Sequence, residues 1–359
     1  MKINIPSISF EVTNLCNLHC KYCYNHWKCD NNQISNFSNY TIAKKTLRKL
    51  FRVADVNYLN FTGGEPLMAE RFLELVLYAR MKGATVSIIS NGTYGELHDY
   101  EKLVDLGVAL FELPIHSYNA TVHDSLSQHS GSWNKSITTI KKLLAKNAEV
   151  VAVIVLTKEN CNDIGDTLKF IHSIGIKRVM INRVNIGGEA IKNTEDLLMT
   201  RDELNKAFET AALISKELKL SVTSNVCTPI CILNPKNFKG IRFTSCSFDM
   251  KNRPITLDYK GNIRFCNHSP IELGNIFQHS LENIFNSRKV QEWKNTVPDF
   301  CMDCKAYDSC KAGCRAAAEQ MGLSLNHPDP IINYMDLDHA LLMKLKSNHS
   351  TFFGMQSQE

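Results

Sequence analysis

The sequence predicts an α/β fold, with a partial barrel of six strand–helix units followed by a small cysteine-rich α+β region. Three observations predict it. Apolar periodicity, with helix start and stop signals, alternates between strand and helix over the first 220 residues or so. From about residue 221 the pattern breaks into short pieces punctuated by Pro, Gly, Asn and Cys. Most of the 13 cysteines lie in that second region.

The predicted elements follow one another in regular order. The strands cover residues 8–12, 58–61, 86–90, 110–115, 150–156 and 179–184. The helices cover residues 40–53, 69–81, 96–105, 133–146, 163–174 and 201–218. Such repetition gives parallel strands joined by right-handed crossovers, in a closed or partly closed barrel or in an open sheet. Six units are fewer than the eight of a complete barrel.

The second region contains a predicted hairpin. Residues 256–259 and 263–265 read as its strands, joined at Lys260-Gly261-Asn262, and the second strand leads into Cys266. A final helix is predicted over residues 332–345, and the tail beyond Asn348 is expected to be loose. The predicted division is a barrel at 1–220, a bridging segment at 221–245, an auxiliary domain at 246–332, and a C-terminal helix and tail at 333–359.

Composition narrows the function class. With 359 residues, 44% of them hydrophobic, and no apolar stretch long enough to span a bilayer, the sequence indicates a soluble globular protein without a membrane partner. The N-terminus lacks the features of a secretory signal, which predicts a cytoplasmic protein. The net charge is +5 (41 Lys and Arg against 36 Asp and Glu), and the basic residues are scattered. A nucleic-acid partner is therefore not expected.

The cysteines indicate metal binding. An odd count in a chain without an export signal disfavours a disulfide framework. Cys16, Cys20 and Cys23 follow the first strand in a C-x3-C-x2-C pattern, which suits three corners of a 4Fe-4S cluster and leaves the fourth iron open. A structural zinc site is the alternative, but such sites are closed and prefer paired x2 spacings with a fourth ligand.

Other candidate residues stand at the carboxyl ends of predicted strands, where parallel α/β folds bind ligands. Gly63-Gly64-Glu65-Pro66 ends the second strand and Ser90-Asn91-Gly92 ends the third. His116 and Arg183 end later strands, so their positions suggest that they face a cofactor or substrate. A capping turn and a surface salt bridge are the respective structural alternatives.

Together these motifs resemble the radical S-adenosylmethionine (SAM) superfamily. The resemblance implies that Cys16, Cys20 and Cys23 hold a SAM-binding 4Fe-4S cluster. It also implies that the Gly-Gly-Glu-Pro segment lies against the methionine end of SAM, where glycines allow close approach of the backbone to the ammonium group. The implied cofactor contacts are Tyr22, Gly63, Gly64, Glu65, Pro66, Ser90 and Asn91, with His116 and Arg183 as further candidates.

The C-terminal cysteines resemble the SPASM extension, which carries auxiliary 4Fe-4S clusters in enzymes of this superfamily. The pattern runs Cys246, Gly261, Cys266, Cys301, Cys304, Cys310 and Cys314. The resemblance implies that a first auxiliary cluster takes Cys246, Cys266 and Cys314. It assigns Cys301, Cys304 and Cys310 to a second cluster.

The sequence departs from that pattern at its end. The family's seventh cysteine is absent from residues 326–332 and from all that follows. His327 or Asp329 substitutes as a ligand, that iron is open, or the second cluster is absent. For the first auxiliary cluster, either Cys227 or Cys231 supplies a fourth thiolate, or both are buried structural cysteines. Cys29 and Cys161 read as unliganded thiols.

The resemblance implies reductive cleavage of SAM to methionine and a 5′-deoxyadenosyl radical, which takes a hydrogen atom from the substrate. The expected substrate is a peptide or protein side chain, with a cross-link or related modification installed in a ribosomally made peptide. The expected partners are a flavodoxin- or ferredoxin-type electron donor and, because the barrel begins within ten residues of Met1, a separate protein or the enzyme surface to hold a leader peptide.

Three alternatives stay open. A sulfatase-maturing enzyme has an Asp after the cysteine equivalent to Cys266, whereas this chain has Asn267-His268, so either His268 acts as the base or the activity differs. Another possibility is a radical SAM enzyme acting on a porphyrin or other small molecule. A non-enzymatic iron-sulfur or zinc protein, serving as electron carrier or adaptor, leaves the Gly-Gly-Glu-Pro motif without a purpose. No catalytic acid or base is assigned.

Overall fold

The computed structural model describes residues 2–28, 40–251 and 253–335. Its strands are β1 (Ile3–Thr13), β2 (Ala54–Gly63), β3 (Thr85–Ile89), β4 (Leu110–Pro114), β5 (Val150–Leu156), β6 (Arg178–Arg183), β7 (Ser221–Ser224), β8 (Ile241–Phe243), β9 (Ile255–Asp258), β10 (Asn262–Arg264) and β11 (Glu272–Asn275). They form one sheet in the order β11-β10-β9-β1-β2-β3-β4-β5-β6-β7-β8. Strands β1 to β8 are parallel throughout, so the predicted α/β class is confirmed.

Helices connect the parallel strands and cover the second region. They are α1 (Tyr40–Val53), α2 (Phe72–Met81), α3 (Leu97–Asp105), α4 (Ala120–Ser127), α5 (Ser132–Ala145), α6 (Ile164–Ser173), α7 (Thr194–Leu197), α8 (Arg201–Glu217), α9 (Leu281–Phe285), α10 (Arg288–Asn295), α11 (Tyr307–Cys310) and α12 (Arg315–Gln320). None of the helices in the described ranges combines the length and apolar character that a bilayer crossing requires.

Alternation along β1 separates the apolar core from the face that carries the polar groups. Ile8 and Phe10 are fully buried, and the Phe10 ring packs edge-on against Phe61 of β2 with centroids 5.9 Å apart. Phe61 in turn packs edge-on against Phe72 of α2, at 5.4 Å. Because strand side chains alternate, Glu11 lies on the opposite face of the sheet. The helices therefore cover one face, and the other is left for polar side chains.

The six predicted strand–helix units are present, and two further strands extend the sheet. The bounds of α1 and β5 match the prediction, while α2 begins at Phe72 because Pro66–Met68 forms a separate 3₁₀ turn. Strands β7 and β8 lie within the predicted bridging segment and pair in parallel with the sheet. The domain boundaries stay a prediction, although two strands of the sheet lie between residues 220 and 245.

The second region joins the sheet at its other end. Strand β9 pairs in parallel with β1, and β10 pairs antiparallel with β9, which confirms the predicted hairpin. Arg264 of β10 forms a buried ion pair with Glu11 of β1. The segment that follows β10 contacts the N-terminal cysteine loop, since the ring of His268 packs against that of Tyr24.

Three predictions fall wholly or partly outside the described residues. Residues Pro330–Tyr334 form a 3₁₀ turn, and the remainder of the helix predicted over residues 332–345 lies beyond the described range. The predicted loose tail and Cys29 also lie outside it. These predictions remain untested.

Candidate functional site

The N-terminal cysteine loop leaves β1 at the carboxyl end of the sheet. Cys16, Cys20 and Cys23 are each half-buried, and a turn closes the loop through the amide of Cys23 and the carbonyl of Cys20, 3.1 Å apart. In the described residues, no three His, Cys, Asp or Glu side chains converge on a single-ion site. Three separated thiols on one short loop instead match the donor set for three corners of a 4Fe-4S cluster.

Tyr22 anchors this loop to the barrel. Its hydroxyl lies 2.6 Å from Nε2 of His116, and the two rings pack edge-on with centroids 4.5 Å apart. Burial raises the pKa of the Tyr22 phenol, and the neighbouring Cys20, Cys23 and Cys16 raise it further. Tyr22 therefore lies among the three cysteines, where an aromatic support for a cluster is expected.

His116 takes a different role from the one suggested by its position. The side chain is buried, and Nδ1 accepts a 3.2 Å hydrogen bond from the backbone amide of Val155. With Nε2 bonded to Tyr22, both ring nitrogens are engaged by protein. His116 thus supports the cysteine loop through Tyr22, and this arrangement leaves neither nitrogen for the expected cofactor contact.

The two glycines of the Gly-Gly-Glu-Pro motif let the end of β2 approach the cysteine loop. A Cβ at Gly63 would lie 2.2 Å from the carbonyl oxygen of Thr13, and one at Gly64 would lie 2.0 Å from that of Leu15. The amides of Gly64 and Glu65 donate to the same two carbonyls at 2.8 and 2.7 Å. Backbone atoms at the end of β1 and in the cysteine loop therefore occupy the space beside the two glycines. The resemblance of the sequence to the radical SAM superfamily instead implies that this space admits the ammonium group of SAM.

Glu65 connects this motif to the end of β3. Its carboxylate is fully buried and accepts hydrogen bonds from the Ser90 hydroxyl (2.9 Å), the Asn91 amide (2.7 Å) and the Leu67 amide (3.3 Å). Burial raises its pKa to about 7, against the lowering effect of these three donors. Pro66 is buried and begins the 3₁₀ turn that follows. Glu65 is thus a positioning residue within the site.

Asn91 completes the convergence of the three sequence motifs. Its side-chain amide donates to Oδ1 of Asn17 at 2.9 Å and lies 3.9 Å from Sγ of Cys16. Asn17 in turn donates to the Thr93 hydroxyl at 2.8 Å. The cysteine loop, the end of β2 and the end of β3 therefore form one hydrogen-bonded unit, as their positions on parallel strands predict.

A second clamp on the cysteine loop was not predicted from the sequence. Gly188, in the left-handed region with φ +52°, lies against the loop so closely that a Cβ would lie 2.5 Å from the carbonyl oxygen of Cys23. The Glu189 amide donates to that oxygen at 2.8 Å, and the side chain of Gln320 donates to the Tyr24 carbonyl at 3.0 Å. The Gly187-Gly188 pair was the available sequence signal for this contact.

An open cavity of about 430 Å³ has a lining of mixed polar and apolar residues. It is lined by residues from β4 to β8 and the segments that flank them, among them Glu112, Arg178, Asn225 and Arg242. Burial raises the pKa of the Glu112 carboxyl to about 7, and Arg178 opposes that shift. Leu110, Arg178 and Ser221 line it and are the first residues of β4, β6 and β7, so the cavity lies toward the amino ends of these strands, away from the cysteine loop.

The auxiliary cysteines form two groups. In the first, Cys227 hydrogen-bonds to Cys246, which lowers the pKa of Cys246 and raises that of Cys227. Cys266 and Cys314 lie close enough to interact electrostatically with both. The second group lines a small cavity and consists of Cys231, Cys301, Cys304 and Cys310.

Neither of the two residues suggested as substitute ligands belongs to these groups. Asp329 is fully buried, pairs with Arg183, and accepts hydrogen bonds from the backbone amides of Cys314 (2.8 Å) and Ile331 (3.1 Å). His327 is exposed and lies 3.1 Å from the hydroxyl of Ser324. These contacts favour neither residue as a ligand of the second cluster, and the expectation that one of them completes it stays a prediction.

Arg183 is also directed away from the expected cofactor contact. Its Nε donates to the Thr228 hydroxyl, and its two terminal nitrogens donate to the carbonyls of Val184 and Cys227 and to Asp329. All three guanidinium nitrogens of Arg183 are therefore hydrogen-bonded to other residues of the protein. Arg183 connects the end of β6 to the segment that carries Cys227, and it positions the auxiliary cysteines.

Family models match both regions of the chain. The model described as "Radical SAM superfamily" matches residues 10–171, and the model described as "Iron-sulfur cluster-binding domain" (SPASM) matches residues 246–314. Together these matches include the cysteines of the N-terminal loop and of both C-terminal motifs.

Several curated proteins are similar over most of the chain. The subtilosin biosynthesis protein AlbA of Bacillus subtilis is 28% identical, over 84% of this chain and 64% of its own length. The sporulation killing factor maturation protein SkfB of Bacillus subtilis is 28% identical, over 62% of this chain and 56% of its own length. A PqqA peptide cyclase of Methylocella silvestris is 22% identical, over 94% of this chain and 89% of its own. The chain thus spans less than two thirds of the first two relatives.

Solved structures share the fold. Native anSMEcpe with bound AdoMet and the Cp18Cys peptide superposes with a TM-score of 0.70 at 16% identity, over 92% of this chain and 94% of that one. Streptococcus suis SuiB bound to its precursor peptide SuiA superposes with a TM-score of 0.70 at 15% identity, over 90% and 75% of the two chains. These structures share the fold, and the two family matches identify the chain as a radical SAM superfamily enzyme with a C-terminal SPASM domain.

Proposed function

We propose that this enzyme modifies a side chain of a ribosomally made peptide, installing a cross-link or a related modification. Its main support is the match of the chain to the radical SAM and SPASM family models, together with its similarity to a protein named PqqA peptide cyclase. The names of AlbA, SkfB and PqqA peptide cyclase point to peptide products or substrates as well.

The residues of the first site have distinct roles in this proposal. Cys16, Cys20 and Cys23 would hold the cluster, and SAM bound to it supplies hydrogen-atom abstraction. Glu65 holds the end of β2 against Asn91, which fixes both backbone segments beside the cysteine loop. The glycines allow the end of β2 to pack closely against the cysteine loop.

Partners follow from the same chemistry. We propose a flavodoxin- or ferredoxin-type protein as electron donor, since the reaction needs one electron from outside the chain. A leader peptide would be held by a separate protein or by the enzyme surface.

Formylglycine formation, as in sulfatase maturation, is less well supported by the residues after Cys266. Asn267 carries an amide, which does not accept a proton as a carboxylate does. The ring of His268 packs against that of Tyr24 with centroids 4.0 Å apart and an interplanar angle of 56°, and its Nδ1 lies 2.7 Å from the side-chain amide of Asn185. Burial lowers the pKa of His268 to about 3, so this imidazole is a weak base.

The test is anaerobic turnover of the reconstituted enzyme with SAM, a reductant and two classes of peptide. One class is a precursor peptide encoded beside the enzyme, and the other is a sulfatase-type peptide with a central cysteine. We expect the precursor to lose two hydrogens per cross-link, with 5′-deoxyadenosine formed alongside. The Cys20→Ala variant is the matched control. Conversion of the sulfatase-type peptide to an aldehyde, with the precursor unchanged, contradicts the proposal.

A further inference from the structure

The second group of auxiliary cysteines contains a residue from outside the SPASM motif. Cys301, Cys304 and Cys310 belong to the motif, whereas Cys231 precedes it by many residues and lies in the segment between β7 and β8. All four line the same small cavity, and Cys231 and Cys301 are both buried. Apolar side chains, including Phe300 and Ile332, also line the cavity.

Local packing fixes the position of Cys231. The amide of Ile230 donates a 3.3 Å hydrogen bond to Sγ of Cys310, so the two chain segments are in direct contact. Gly313 lies against Pro229 so closely that a Cβ would lie 2.7 Å from the proline ring. A turn follows in which the amides of Ile232 and Leu233 both donate to the Pro229 carbonyl. This turn holds Cys231 on the side of the cavity.

Each of two short segments therefore contributes one cysteine to the first group and one to the second. In the segment from 227 to 231, the first cysteine lies beside Cys246 and the second beside Cys310 and Cys304. In the segment from 310 to 314, the order is reversed, because Cys310 belongs to the second group and Cys314 to the first. Each group then contains four thiols, which is the complete donor set for a 4Fe-4S cluster.

We propose that Cys231 is the fourth ligand of the second auxiliary cluster, taking the place of the missing seventh cysteine, and that Cys227 is the fourth ligand of the first. Both auxiliary clusters are then fully ligated by thiolates, and neither has an iron open to substrate. Each of the two segments, 227–231 and 310–314, would then supply one ligand to each cluster. This assignment does not depend on the identity of the peptide substrate.

The test uses a chain with Cys16, Cys20 and Cys23 all changed to Ala, so that only auxiliary clusters contribute to the signal. After anaerobic reconstitution this background should hold about eight irons, two clusters of about four. Adding Cys231→Ala should lower iron and sulfide by up to about half, or convert one cluster to a three-iron form with its own electron paramagnetic resonance signal. Adding Cys161→Ala, a buried cysteine outside both groups, should change neither.

A second variant separates ligand loss from misfolding. Cys231→Ser keeps the size of the side chain and supplies a weaker oxygen ligand, so it should retain the far-ultraviolet circular dichroism of the background while shifting the resonance signal of one cluster. Unchanged iron, sulfide and resonance signals in both Cys231 variants would overturn the assignment. Loss of a cluster in His327→Ala, with Cys231→Ala unaffected, would also overturn it.

Discussion

The Glu65 carboxylate accepts a 2.7 Å hydrogen bond from the backbone amide of Asn91, although the two residues stand at the ends of different strands. Because Asn91 also contacts Asn17 beside Cys16, this bond connects the Gly-Gly-Glu-Pro motif to the cysteine loop through a third segment. The three motifs therefore act as one structural unit, and a change at Glu65 should be transmitted to the cofactor site.

Replacement of Glu65 by Gln should weaken SAM binding more than it slows turnover. The amide of Gln puts a donor where either Ser90 or Asn91 already donates, and a hydrogen bond to a charged group contributes roughly 1.5–3 kcal/mol. We expect KM for SAM to rise about tenfold or more, with a smaller change in kcat, measured by 5′-deoxyadenosine formation. Glu217→Gln, on the exposed face of α8, is the control. An unchanged KM in E65Q contradicts the positioning role.

Gly188→Ala should disturb the first cluster. A Cβ there would lie 2.5 Å from the Cys23 carbonyl oxygen, so the cysteine loop must shift. We expect reconstituted iron to fall by up to about four per chain. Gly175→Ala is a matched control, because Gly175 has φ +95° but nothing within 4 Å of its Cβ position. The Gly175→Ala variant also places alanine at a positive φ, but its Cβ would contact no neighbouring atom. Equal iron loss in the two variants would show that strain alone is responsible.

The buried Arg183–Asp329 pair should be important for stability. Removing one partner leaves a buried charge without compensation, which costs about 3–5 kcal/mol. Arg183→Met and Asp329→Asn should each lower the thermal midpoint of the reconstituted protein by several degrees, whereas the double variant should lose less than the sum of the two. Asp329→Asn should nevertheless retain its iron, since Asp329 accepts hydrogen bonds from backbone amides and lies outside both cysteine groups. Selective loss of one cluster would identify Asp329 as a ligand instead.

Glu112 should make stability depend on pH. Its folded pKa of about 7 lies above the ordinary value of 4.5, so the folded protein keeps this proton while the unfolded chain loses it. The contribution to stability is therefore full below about pH 4.5, falls as the pH rises to 7, and changes no further above that. Thermal midpoints of the wild type and Glu112→Gln should diverge in that interval, with the Gln variant less affected. Parallel profiles would contradict burial of the carboxyl.

Much of the fold could be predicted because its long elements carry clear periodicity. Helix α1 and strand β5 have the predicted bounds, since fourteen residues with one apolar face and seven consecutive apolar residues are unambiguous patterns. Strand β7 was missed because Ser221–Ser224 is short and mostly polar. Its pairing with β6, rather than its own sequence, stabilises it as a strand.

The candidate site was predictable only in part, because some of its contacts are set by a local sequence pattern and others by the packing of distant segments. The spacing of Cys16, Cys20 and Cys23 depends on one local loop, so a sequence pattern reports it. The roles of His116 and Arg183 depend on Tyr22, Val155 and Asp329, which are distant in sequence. Their contacts arise from the packing of separate segments, which a position at a strand end does not specify.

The most direct test of the central assignment is 5′-deoxyadenosine formation from SAM by the anaerobically reconstituted protein with a strong reductant. The account predicts that the wild type forms this product and that Cys20→Ala, with both auxiliary clusters still loaded, forms none. Absence of product from a wild-type preparation that holds about twelve irons per chain, three clusters of about four, would contradict it.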